Sequence, residues 1–207
     1  MIKERPILFN DEMVRAILEG RKTQTRRIAK NIEQAPTFRS GWKACRKYSA
    51  VSIDTPSHML GRYCPIGKPG DRLWVRENFL QLMHGQVTAG DVKYCASIDP
   101  RSTGTPKNAG YWWRKRPSIH MPRWASRITL EITDVRVERL QNISGDDIAA
   151  EGVTDPIGSP RAYGVVTKQL ARDQFIRLWE SINGPDSWQV NPWVWVVEFK
   201  RIDGGDQ

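Results

Sequence analysis

The octapeptide Gly20-Arg21-Lys22-Thr23-Gln24-Thr25-Arg26-Arg27 gathers one lysine, two hydroxyls and three arginines behind a single glycine. So many donors and positive charges at one point suit a phosphate, a nucleobase carbonyl or a developing oxyanion better than a core. Arg21, Thr23, Arg26 and Arg27 are candidate substrate contacts, flanking the two groups able to do chemistry, Lys22 and Thr25. A threonine hydroxyl attacks poorly unless a base takes its proton. A lysine serves as that base once burial or a neighbouring cation disfavours its charged form.

A second concentration lies at Tyr111-Trp112-Trp113-Arg114-Lys115-Arg116, where three rings run directly into three cations, with His120 and Arg123 close behind. A ring stacked on a base contributes about 1–3 kcal/mol, and the cations beside it follow phosphates. Trp112, Trp113, Arg114, Arg116, His120 and Arg123 are therefore candidate binding residues, although Trp112 and Trp113 would serve equally as packing and a lone histidine is often structural. Trp74 reads either way. Trp124, Trp179, Trp193 and Trp195 sit within apolar patterns and are expected in the core.

Other chemistries leave no trace. The three cysteines, Cys45, Cys64 and Cys95, are odd in number and far apart, so no disulfide framework is expected. No short Cys or His spacing marks a metal site, and no Gly-x-Gly-x-x-Gly or Walker sequence marks a dinucleotide or P-loop site. No metal and no cofactor is expected, and no Ser-His-Asp or Cys-His set is legible.

The charge says what the partner is made of. The chain of 207 residues carries a net +9. Residues 1–48 hold 12 Lys/Arg against 5 Asp/Glu, a balance of +7, and residues 101–127 hold 7 against none, again +7. The remainder, with 13 against 18, is acidic at −5. Two basic windows in an otherwise acidic chain point to a localised anionic partner: a nucleotide, RNA or single-stranded DNA. No run approaches the roughly 18 apolar residues of a membrane span. The opening Met1-Ile2-Lys3-Glu4-Arg5-Pro6 lacks the apolar stretch of a signal peptide, so a cytoplasmic location is expected. Oligomeric state leaves no mark.

The elements that must position these residues are mostly strands. Ile7-Leu8-Phe9 reads as a short strand. Asn10 is an N-cap, Asp11 and Glu12 complement the helix dipole, and Met13, Val14, Ile17 and Leu18 recur at helical spacing up to Gly20. Residues 28–63 show no periodicity and read as irregular. After the turn chemistry of residues 64–71, Arg72–Glu77 reads as a strand, as does Val92–Ser97, with a loop over residues 100–110. Ile128, Leu130, Ile132, Val135 and Val137 alternate with polar residues: a strand pair, or one long bent strand broken near Thr133-Asp134. Ser144-Gly145-Asp146-Asp147 resembles a capping box, with Ile143 and Ile148 placed for a hydrophobic staple, opening a brief helix that closes at Gly152. A longer helix follows over residues 168–183, its inner stripe Phe175, Leu178, Trp179 and Ile182. Trp193–Ile202 is a strand apolar enough to be central. Few short helices and no strand–helix–strand alternation favour a mainly β (α+β) fold, a small, partly open barrel with peripheral helices.

With these elements in order, the motifs resemble the ASCH domain of the PUA-like superfamily, in its phage and prophage form. They are a short helix ending in Gly-Arg-Lys-Thr-x-Thr-x-Arg, then Pro-Gly-Asp-x-Leu-x-Val-Arg-Glu, then Arg123-Trp124-Ala125-Ser126-Arg127-Ile128 and the closing Trp193-Val194-Trp195-Val196-Val197-Glu198-Phe199. The resemblance covers about residues 5–30, 64–80 and 117–202. It implies one ASCH domain over residues 1–207, a small β-barrel with insertions at about 28–63, 78–116 and 153–167.

PUA-like barrels commonly bind RNA, modified bases or nucleosides, and some small ASCH proteins remove acyl groups from the exocyclic amine of cytidine. The resemblance implies Lys22 as base, Thr25 as nucleophile or positioner, and Glu151 as the acid that assists proton transfer. Glu77, beside Arg76 at its strand end, is a second candidate acid or else half of a surface ion pair. The expected function is an amidohydrolase acting on acylated cytidine-type nucleosides or nucleotides. The alternatives are a module that binds RNA, single-stranded DNA or a modified base without turning it over, or a ribonuclease.

Overall fold

Asn10 opens the first helix as the spacing requires: its side-chain oxygen accepts from the Met13 N–H at 2.8 Å. Gly20 takes a left-handed φ of +73° just beyond the helix end, where a side chain would be strained. The structure, a computed structural model, describes residues 2–30, 32–34, 41–44, 51–52, 63–82, 92–97, 113–153 and 164–202. In chain order these form β1 (Glu4–Leu8), α1 (Asp11–Leu18), β2 (Gln24–Ile28), β3 (Ile32–Gln34), β4 (Gly41–Ala44), β5 (Val51–Ser52), β6 (Arg72–Arg76), β7 (Phe79–Leu82), β8 (Val92–Tyr94), β9 (Trp113–Arg116), β10 (Thr129–Arg139), α2 (Gly145–Ala150), α3 (Gly164–Asn183) and β11 (Trp193–Ile202), with short 3-10 turns between some of them. The fold mixes helix and strand, with strands in the majority.

The chain divides into two compact units. The first comprises Met1–Gly20, Asp71–Glu131 and Arg201–Gln207. Here β1 runs parallel to β6, with Glu4 opposite Arg72 and Leu8 opposite Arg76. The start of β10 pairs antiparallel on the other side of β6, with Thr129 opposite Trp74. Alternation sends Ile7, Leu73, Val75 and Leu130 inward, all buried, and leaves Glu4, Pro6, Leu8 and Arg72 exposed. Pro6 is tolerated because β1 is an edge strand, where a missing N–H costs no ladder bond. In a second sheet, β7 lies between β8 and β9, and Phe79, Val92, Met121 and Ala125 form a small core.

The second unit comprises Arg21–Gly70 and Ile132–Lys200. Its β11 lies between β10 and β2, pairing antiparallel with β2 through Val196 opposite Arg26 and Glu198 opposite Gln24. Val194 to Val197 are all buried, so both faces of β11 are covered, as its apolar run predicts. Leu140, Ile143, Ile148, Phe175, Trp179, Trp188, Val194 and Val196 pack into one core. Strands β3, β4 and β5 form a separate antiparallel sheet.

Several expectations change. Residues 28–63 are not wholly irregular: β3, β4 and β5 lie within them, at two to four residues each too short to display alternation. The segment Val92–Ser97 is a strand only to Tyr94 and then a 3-10 turn. Strand β10 is one continuous strand of 11 residues. Trp124 is 50% exposed rather than in the core, because its 3-10 turn sends Ala125 inward instead. Trp193 is half-buried, under Arg139. Ile182, near the end of α3, is also 50% exposed, and the buried stripe there is Phe175 and Trp179. Among the described residues no pairing joins β1 to β2, so the described strands do not close into a barrel. No helix among them is long and apolar enough to cross a membrane. The loop expected at 100–110 and most of the 153–167 stretch lie outside the described residues.

Candidate functional site

The second unit joins two distant segments through backbone first. Lys22 forms an isolated antiparallel bridge with Glu151, and Thr23 N–H donates to the Ala150 carbonyl at 2.9 Å. Arg21 Nη1 donates to the Gly152 carbonyl at 2.8 Å, and Phe199 N–H to the Thr23 carbonyl at 2.8 Å. Glu151 is delivered to this place by α2. Ser144 and Asp147 form a reciprocal capping box at its start, Ile143 and Ile148 are buried beside it, and Glu151 is the C-cap residue. Gly152 follows at φ +81°, a conformation that ends the helix and that glycine adopts without strain.

The side chains then meet. Lys22 Nζ donates to Glu151 Oε2 at 2.7 Å and to the Glu151 carbonyl at 2.9 Å, and the lysine side chain is 0% exposed. The other carboxylate oxygen, Oε1, accepts from Arg26 Nη1 at 3.1 Å. Arg26 also bonds Glu138 through Nη2 at 2.5 Å and lies 3.3 Å from Asp147. Arg136 continues the chain with donors to Asp147 at 2.7 Å, to Gln24 at 3.1 Å and to Glu198. Lys22, Arg26 and Arg136 thus face four carboxylates, those of Glu138, Asp147, Glu151 and Glu198. Buried charges persist only when paired and hydrogen-bonded in this way.

Burial pushes the Lys22 ammonium below its ordinary pKa; Glu151 opposes the shift, and Arg27 and Arg26 add to it. Arg27 is itself lowered by burial, against the pull of Glu151. Burial would raise Asp147, but hydrogen bonds from Ser144 and the charge of Arg26 hold it below the usual carboxylate range. A lysine poised toward its neutral form, in contact with a carboxylate, is a proton-transfer couple.

Thr25 is buried in β2. Strand alternation puts Gln24 and Arg26 on one face and Thr25 with Arg27 on the other. Thr23 is exposed. Of the residues singled out from sequence, Lys22, Arg26 and Glu151 converge on one carboxylate, and Arg21 braces the backbone beside it.

The other singled-out residues belong to the first unit, except Trp112, which lies outside the described residues. Glu77 is 1% exposed and paired not with Arg76 but with Arg127, whose Nε and Nη2 donate to its two oxygens at 2.9 and 3.0 Å. Burial raises the Glu77 pKa; Arg127 opposes the shift and Asp11 adds to it. Arg127 stacks 4.0 Å from the centre of the Tyr94 ring. Lys93 stands 4.4 Å over Trp113, Arg114 and His120 are exposed, and Arg116 is half-buried in β9. Trp74 lies beneath the guanidiniums of Arg76 and Arg123.

Sequence reasoning missed Arg136, Glu138, Asp147 and Glu198 as members of the charge network that continues from Glu151 through Arg26. Arg136 and Glu138 alternate with Val135 and Val137, which reads as an ordinary solvent face, and Asp147 is legible only as a cap. Among the described residues no group of three or more His, Cys, Asp or Glu side chains is arranged to hold a metal. No family model matches the chain, and no curated protein or solved structure is significantly similar to it.

Proposed function

We propose that the chain is an ASCH-type hydrolase on a PUA-like fold, removing an acyl group from the exocyclic amine of a cytosine nucleoside or nucleotide. The 2.7 Å contact between Lys22 and Glu151 carries this reading, because it places a desolvated amine and a carboxylate within one proton's reach. Amide hydrolysis needs a base to activate the attacking oxygen, a positive group for the oxyanion and an acid for the departing amine. Lys22, in its neutral form, takes a proton from the attacking water. The oxyanion that forms on the former carbonyl oxygen is met by Arg26, the guanidinium already bonded to Glu151. The proton passes from Lys22 to Glu151 across their 2.7 Å contact and on to the exocyclic nitrogen, the carbon–nitrogen bond breaks, and a carboxylic acid and the free amine leave.

Water is the nucleophile in this reading. Thr25 stands on the strand face opposite Arg26, the residue that grips Glu151, so its hydroxyl takes no part in the chemistry. Arg26 fixes the carboxylate that Lys22 uses. A panel of nucleosides acylated on cytosine or adenine amines, followed by chromatography, tests the substrate class. The reading expects free cytidine to accumulate. Equal release from every acylated amine, or none, contradicts it.

A further inference from the structure

Two carboxylates compete with Glu151 for Arg26, and both are shared with Arg136 in the same way. Glu138 gives Oε1 to Arg26, at 3.2 Å from Nε and 2.5 Å from Nη2, while its Oε2 lies 3.6 Å from Arg136 Nε. Asp147 sets Oδ2 3.3 Å from Arg26 Nη2, while its Oδ1 accepts from Arg136 Nη2 at 2.7 Å. Arg136 therefore takes the second oxygen of each rival. Arg26 keeps Nη1 for Glu151 Oε1, at 3.1 Å. No step of the hydrolytic reading uses Arg136.

Strand alternation puts Arg136 and Glu138 on the same face of β10. Gln24 of β2 and Glu198 of β11, opposite each other in register, supply the remaining acceptors: Arg136 Nη1 donates to Glu198 and Nη2 to Gln24 at 3.1 Å. Its bonds thus join β2, β11 and the first turn of α2, the helix whose far end carries Glu151. All these residues belong to the second unit. A planar guanidinium meets acceptors on three elements at once, which a lysine ammonium does not reproduce. The Arg136 side chain is 29% exposed against 1% for Arg26, so a substitution here meets water rather than a closed core.

The charges give this arrangement a sign. Lys22 is faced by Glu151 from the end of α2 and by Arg26 and Arg27 from β2. Without Arg136, the cation left to Glu138 and Asp147 is Arg26. They draw its guanidinium away from Glu151, whose charge then falls undivided on Lys22. Loss of the Arg136 charge itself acts in the same direction. Both effects favour the Lys22 ammonium over the neutral amine.

We propose that Arg136 is a positioning residue of the hydrolytic site: by occupying Glu138 and Asp147 it keeps Arg26 on Glu151 and so holds Lys22 and Glu151 ready for proton transfer. The proposal rests on the reading of Lys22 and Glu151 as the proton-transfer couple, and it adds a residue that touches neither of them.

The test follows Lys22 by carbon-13 NMR of the full chain labelled on its lysine side chains, with Lys22→Met assigning the resonance. The pH profile of cytidine release is read beside it. Arg136→Gln is expected to raise the Lys22 midpoint by about half a pH unit or more. Release at pH 7 is then expected to slow about threefold or more. Glu138→Gln removes a rival and is expected to lower the midpoint. Arg136→Lys keeps the charge without the fork and is expected to fall between Arg136→Gln and wild type. A brace that only held the sheet would reduce the urea midpoint and leave both pH profiles in place. An unmoved Lys22 midpoint in folded Arg136→Gln, or a midpoint unmoved or raised in Glu138→Gln, overturns the proposal. If Arg136→Gln does not fold, the direction seen in Glu138→Gln decides. A wild-type chain that releases no cytidine strikes the hydrolytic reading instead, and the NMR titration then decides the role of Arg136 by itself.

Discussion

Lys22 and Arg26, four residues apart on one segment, divide a single carboxylate between them: Lys22 takes Glu151 Oε2 and Arg26 takes Oε1. A carboxylate pinned at both oxygens cannot rotate, so it presents one geometry to anything that approaches. Glu151 lies 129 positions from Lys22, and the pairing exists only because the α2 capping box and Gly152 aim the helix end at this spot.

Removing both members of this pair should cost less than the two separate removals added together. Glu151→Gln leaves the Lys22 ammonium and one Arg26 donor buried against a neutral partner, and a loss of about 3–5 kcal/mol is expected for breaking such a pair. Lys22→Met combined with Glu151→Gln should lose less than the sum of the single changes. Urea unfolding of the three variants measures the difference, and strict additivity would show that the two side chains do not interact.

The lowered pKa of Lys22 has a definite sign in stability. Its folded value lies below the ordinary 10.5, so as pH falls from 10.5 the unfolded chain takes up the proton first and the folded state loses ground. The contribution is complete above 10.5 and is lost as pH falls through the folded value. Wild-type stability should therefore rise between neutral pH and pH 10, net of other groups, and Lys22→Met should flatten that rise in a series of denaturation curves.

Glu77 carries the opposite slope. Burial lifts its folded pKa above 4.5, so its contribution is full in acid and lost as pH climbs from 4.5 through the folded value. Glu77→Gln cannot titrate and should remove this decline, read as a smaller change in urea midpoint between pH 4.5 and 7. An unchanged slope would mean that Arg127 keeps the carboxylate ionised throughout.

Asn10 offers a simpler check on the scaffold. Its side chain answers the Met13 N–H, and Asn10→Ala should cost about 1 kcal/mol in chemical denaturation. A change below a few tenths would show that α1 is held by tertiary packing alone.

Local rules made much of this legible. The Asn10 cap, the Ser144 capping box, the central β11 and the left-handed Gly20 and Gly152 all follow from side chains a few residues apart. Lys22 and Glu151 were singled out from motifs, and their meeting needed a fold. What stayed hidden was long-range: Arg136 and Glu138 read as a solvent face because the residues covering them, Arg26 and Asp147, come from other elements. Arg127 gave no hint of Glu77, 50 positions away. Trp124, expected in the core as a large ring, is half exposed because the turn it occupies sends Ala125 inward instead. Strands as short as β5 cannot show a period of two.

The central claim is that Lys22 and Glu151 move protons during deacylation. The direct measurement is the initial rate of free cytidine release from cytidine acylated on its exocyclic amine, by wild type, Lys22→Ala and Glu151→Gln, from pH 6 to 9. The proposal predicts a wild-type rate that climbs with pH as Lys22 loses its proton. Each folded variant should fall by about 10²–10⁴-fold. Wild-type product no greater than in the Lys22→Ala control, or variants as fast as wild type, would contradict it.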